Sequence, residues 1–154
     1  MAYCSIDEVI SMLKPDMLDA IIDGSYREDD SERKKDITPI AGQAIADAQA
    51  EIDGYLTARY NVPFARVPAV IGKFAKDIAI YNLVSRMGID ESDREKTYLT
   101  RYNAAVAFLT KASEGKVEVA IIPEDDMTGS VTVQNNFETK SNARIFTRHS
   151  MRGW

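Results

Sequence analysis

Residues 44–64 read AIADAQAEIDGYLTARYNVPF, and how this stretch is read decides the fold. Ala44, Ala48, Ile52, Tyr55 and Leu56, with Ala41 and Ile45 beside them, recur at spacings of three and four. That spacing is the signature of one buried face of an α-helix, with Asp47, Glu51 and Arg59 lying off it. The alanines on the stripe permit a close approach of a neighbouring helix, and Gly54 reads as a second small residue of that kind. Upstream, Thr38 before Pro39 has the form of a helix start, Thr as cap and Pro at the first helical position. The helix expected from there to about Tyr60 is about 33 Å long at 1.5 Å per residue. Downstream, NVPFARVP at residues 61–68 ends it, because each proline disfavours a helical residue before it.

Working outward, Pro68 opens a further apolar helix to about Met87, with Ile71, Phe74, Ala75, Ile78 and Tyr81 on its face and Gly88 as its stop. Ser92 to Glu95, SDRE, has capping-box form. Tyr98, Leu99, Tyr102, Ala105, Val106, Leu109 and Ala112 continue a third long helix to Gly115. At the start of the chain SIDE at residues 5–8 is another capping box, and Pro15 sits at the first turn of PDMLDAIID, which Gly24 closes. These two short helices form a hairpin. The segment between, GSYREDDSERKKDIT at residues 24–38, is polar and mixed in charge, and an exposed loop over 24–37 is expected from its composition. Its Glu28, Asp29 and Asp30 could in principle bind a hard cation, but such a site needs six or more oxygens held in a fixed loop, and a solvated loop is the expectation.

The expected fold is therefore mainly α: a bundle of three long helices plus a short N-terminal helical hairpin, followed by an extended, β-type C-terminal arm. Residues 1–115 form the helical domain in this reading and residues 116–154 the arm. KVEVAII, GSVTV and ARIFTRHSMRGW are each too short to make a sheet alone, and strands without partners in their own chain find them on a neighbour.

Composition bounds the function. A chain of 154 residues with 45% hydrophobic and 28% charged residues is an ordinary globular domain. Its apolar runs are short and MAYCSIDEV is acidic where a secretory leader is basic and then apolar, so a cytoplasmic location and no membrane association are expected. The net charge of -5 hides an asymmetry: Lys140, Arg144, Arg148 and Arg152 make residues 140–154 +4, leaving -9 on residues 1–139. The body repels polyanions and the tail attracts acidic surfaces.

Reactive groups are few. Cys4 reads as a small buried hydrophobe, and the single histidine, His149, has no scaffold to hold it as a general base. Phosphate-cradle motifs are absent, and one Cys with one His makes no zinc site. Asp125 and Asp126 are adjacent in the chain and not opposed across a cleft. No enzymatic activity, cofactor or metal is expected. A helix-turn-helix is disfavoured because PDMLDAIID carries three aspartates and no base, the wrong charge for a duplex with one phosphate per ~1.7 Å.

Three pieces in order, MAYCSIDEVISML at the start, AIADAQAEIDGYLTARYNVPF with VPAVIGKFAKDIAIYNL behind it, and RIFTRHSMRGW at the end, resemble the Mu-like phage and prophage family of head-tail connectors. The resemblance implies a non-enzymatic structural protein of the virion neck, made in the host cytoplasm. Such connectors form a ring, commonly of twelve copies, beneath the portal protein. The ring extends the channel for genomic DNA, which passes without sequence-specific binding, and offers a platform to the next neck or tail-completion protein. The tail is then the expected portal-binding element, through Arg144, Ile145, Phe146, Arg148, Met151, Arg152 and Trp154. A phage-encoded helical DNA-binding or regulatory protein is the alternative.

Overall fold

The computed structural model describes residues 2–88 and 93–119, which fall within one compact unit. They form five helices: α1 (Ile6–Ser11), α2 (Pro15–Ile22), α3 (Asp30–Leu56), α4 (Ala69–Ser85) and α5 (Asp93–Ser113). No strand occurs among the described residues, so the mainly α class and the count of three long helices with a short pair before them agree with the sequence. The extended arm falls almost wholly outside them.

Local chemistry explains the starts and stops. Ser5 and Glu8 close a reciprocal capping box, the Glu8 N–H donating to Ser5 Oγ at 3.3 Å and the Ser5 N–H to Glu8 Oε2 at 2.9 Å. Pro15 opens α2, where its missing N–H costs nothing. Gly24, Gly88 and Gly115 all adopt positive φ, the left-handed conformation that ends a helix. At Gly115 a second reason adds to the first, because the Arg59 guanidinium lies where a Cβ would stand. The SDRE start expected at residues 92–95 lies outside the described side chains.

The start of α3 departs from the sequence expectation. The helix begins at Asp30, capped by Asp29, whose carboxylate accepts from the Ser31 N–H at 2.9 Å, and Pro39 lies inside it. Thr38 is no cap; its hydroxyl donates to the Lys34 carbonyl at 2.6 Å. The expected loop 24–37 thus shrinks to the short link between Asp23 and Asp30. An interior proline costs ~3 kcal/mol and one ladder hydrogen bond. The compensation is packing: Ile37 is completely buried and Arg33 is buried in an ion pair, which continues the 41–45–48–52 stripe backward by two turns. Gly54 also departs from its reading, since it is exposed and a Cβ there would meet nothing.

The core lies where α3, α4 and α5 meet. Ala41, Ala44 and Ala48 of α3 are buried against the other helices, and Ile52 and Leu56 are fully enclosed. Helix α4 is central, with contacts to all four others, and buries Ile71, Phe74, Ala75, Ile78, Ala79, Ile80, Leu83 and Val84. A helix apolar around most of its circumference can only sit inside. Helix α5 advances in the same sense as α3: its Tyr102 meets Glu51, and beyond its end Gly115 meets Arg59. No described helix is long and apolar enough to cross a membrane.

Candidate interaction surfaces

Two polar constructions lie at opposite ends of α3. At its N-terminal end, α2 and α3 are joined by arginines and carboxylates. Arg33 donates to Asp19 through Nε (2.8 Å to Oδ1) and Nη2 (3.2 Å to Oδ2), a bidentate pair with both side chains more than nine-tenths buried. Asp30 also touches Arg33, and the Arg27 carbonyl accepts from it. Arg27 in turn holds Asp23 with two 3.0 Å bonds and Asp36 with one of 3.1 Å. These bonds hold the carboxyls of Asp19 and Asp23 below the usual range, Asp23 at about 2.

The short link inside this network is fixed on both sides of Tyr26. The Ser25 N–H donates to Asp23 Oδ1 at 2.9 Å, Arg27 Nη1 donates to the Ser25 carbonyl at 3.1 Å, and the Arg27 N–H donates to Asp19 Oδ2 at 3.2 Å. Tyr26 itself is 80% exposed. A shallow groove of about 240 Å³ lies nearby, floored by Ile10, Pro15, Leu18 and Ile37 and bordered by Asp7 and Lys34, which pair at 2.6 Å.

At the other end, the 57–68 connection folds over the end of α3. Tyr3 donates to Asp53 and accepts from the Phe64 N–H at 3.2 Å, and burial followed by the Asp53 contact pushes its phenol up to about 12. The Val62–Pro63 peptide is cis. The chain beyond α5 is tied here too, because the Val119 N–H donates to the Tyr60 hydroxyl at 3.0 Å and Val119 is buried. The arm therefore has a fixed root beside Tyr60.

Between the ends, Asp77 of α4 is buried, 3.1 Å from Lys73 Nζ and 2.5 Å from Arg101 Nη2, the latter an ion contact without hydrogen-bond alignment. Tyr102 stacks on Tyr81 with centroids 4.2 Å apart and donates to Glu51 at 3.0 Å. Burial, then that bond, raises its phenol to about 12. Cys4 is buried as expected, its thiol pushed up to about 11 by burial.

The expected tail residues Arg144, Ile145, Phe146, Arg148, Met151, Arg152 and Trp154 lie outside the described residues, as do His149, Asp125 and Asp126. Among the described residues no three of His, Cys, Asp or Glu converge as a metal site, and the buried carboxylates are engaged by arginine or lysine. Sequence reading missed Asp19, Arg33 and Asp77. The signal for Arg33 is its place four residues before Ile37 on the α3 stripe; Asp77, inside an apolar helix, gave none beyond its incongruity.

The family described as Bacteriophage Mu, Gp36 matches residues 3–135. A Haemophilus influenzae protein, "Mu-like prophage FluMu protein gp36", is 27% identical over 112 residues, covering 73% of each chain. "Gene product J" of Escherichia phage Mu is 28% identical over 109 residues, 71% of this chain and 72% of that protein.

Proposed function

This chain belongs to the Bacteriophage Mu Gp36 family, and we propose that it is a structural connector of the virion neck, a ring beneath the portal that extends the DNA channel and joins the capsid to the tail. The observation that carries the reading is the family match itself, which spans the helical body and places the chain among proteins of Mu-like phages. The physical character of the body supports it. Its helices are committed to packing, its buried polar groups to holding helices together, and its acidic charge repels DNA that has to slide past. The role is non-enzymatic and needs no cofactor.

Assembly into a closed ring, with twelve copies the expected number, requires two different surfaces on each subunit. In this reading Arg144, Ile145, Phe146, Arg148, Met151, Arg152 and Trp154 of the arm bind the portal, and the opposite face of the ring receives the next neck protein. Co-expression with the portal protein of the same phage, followed by electron microscopy, tests this. Rings of this chain stacked on portal rings are the expected outcome; a lone two-fold dimer, with or without portal, overturns it.

A further inference from the structure

Unpaired charge leans acidic at one end of α3 and basic at the other. At its N-terminal end Glu28 and Glu32 are exposed and have no cationic partner among the described residues, beside the capping Asp29; Lys35 is the one cation of that stretch in the same condition. The arginines there, Arg27 and Arg33, are consumed by Asp19, Asp23, Asp30 and Asp36. At the C-terminal end Arg59, Arg66 and Lys111 are exposed and no described carboxylate pairs with them, while Glu114 is taken by Lys116 and Glu118 is exposed. The 27 residues of α3 separate the two ends by about 40 Å.

Each end also offers apolar surface of a matching kind. Tyr26 projects at the acidic end on a backbone held by hydrogen bonds at both of its neighbours, so little ordering entropy is lost when it docks. Tyrosine is among the residue types enriched at interface hot spots. At the basic end Val62 and Val67 are half-buried and Pro63 is exposed, between Arg59 and Arg66 in the chain.

We propose that the Tyr26 loop of one copy docks on the 57–68 connection of a second copy of this chain, Glu28 and Glu32 facing Arg66 and Lys111. This contact is heterologous, the acidic end of each subunit meeting the basic end of the next, which is the kind of interface that closes into a ring. It rests on the ring reading above and names the two surfaces that reading requires.

The test uses two double variants of the full chain, Glu28→Lys/Glu32→Lys and Arg66→Glu/Lys111→Glu, all at exposed positions, with folding checked by circular dichroism. The first has two basic ends and the second two acidic ends. Each alone should lose ring occupancy on co-expressed portal at least tenfold relative to the wild type, whereas co-expressing both should restore it to within twofold, the variants alternating around the ring. Tyr26→Ser should raise the concentration for half occupancy about tenfold. Wild-type rings that persist in either variant alone, or folded variants that fail to recover when mixed, overturn this contact and leave the connector reading standing. Absence of wild-type rings removes both.

Discussion

Arg33 shows how a single side chain can set an element boundary. Its guanidinium is buried with Asp19, and a buried charge is tolerated only when its partner and remaining donors are satisfied. Here the Arg27 carbonyl and Asp30 take the remaining donors. Replacing Arg33 by Met should lower the thermal midpoint by about 10 °C, because Asp19 is left buried without its cation and with only the Arg27 N–H to hold it, and adding Asp19→Asn should recover part of that loss. A thermal melt of the single and double variants checks this; a single variant that melts with the wild type would mean the pair contributes nothing. The same logic fixes the response to pH. Asp19 and Asp23 have depressed carboxyls, so their contribution is present above the unfolded value near 4 and disappears as pH falls through the lower folded values. Tyr3 and Tyr102 are raised to about 12, so theirs is complete below the unfolded value near 10 and is lost as pH rises from there through about 12. Helical signal followed from pH 9 to 13 should collapse in that window, and Tyr3→Phe/Tyr102→Phe should make the decline shallower.

At the scale of elements, the interior proline of α3 is a local cost outweighed by packing. Pro39 is exposed, so Pro39→Ala restores a ladder hydrogen bond without opening a core cavity and should stabilise the domain by about 2 kcal/mol in denaturant unfolding. Replacing residues 24–36 by a Gly/Ser linker should do the reverse and abolish cooperative unfolding, since it removes the Asp29 cap, the Arg33 ion pair and the first turns of α3. A linker variant with the wild-type midpoint would return that segment to the status of a tolerant loop. Composition and period made the long helices legible, because a stripe such as Ala41, Ala44, Ala48 and Ile52 has no other use, and Gly24, Gly88 and Gly115 marked ends that any residue with a Cβ would strain. They failed at residues 30–38 for an identifiable reason. DSERKKDIT looks solvated because its buried members are an arginine and one isoleucine, and the acid that neutralises the arginine lies fourteen residues away on another helix. Pairing between distant charges leaves no periodic trace. Of the interaction surfaces, the tail anchors are legible in residue type, alternation and resemblance, whereas the fixed loop around Tyr26 depends on backbone hydrogen bonds that composition does not encode.

For the whole molecule, the division of labour between body and arm is the decisive expectation. The body up to Val119 holds the described core, and Val119 itself is anchored by the Tyr60 hydroxyl, so the arm begins from a rigid point. Beyond it, residues 144–154 combine three arginines with Ile145, Phe146, Met151 and Trp154 and carry no acid. Such a segment gains most when it adds backbone hydrogen bonds to a partner's exposed edge and buries its aromatic residues there. In the proposed ring the affinity of one tail can be modest, because such a ring would present many tails at once and the effective concentration of the second would be set by the first. Removing residues 144–154 should therefore leave the helical signal and thermal midpoint of the free protein within error of the full chain while eliminating rings from portal particles. The two readouts separate the alternatives. A truncated chain that melts early makes the tail part of its own subunit's core, and one that is stable and still decorates portals assigns the attachment to the helical body.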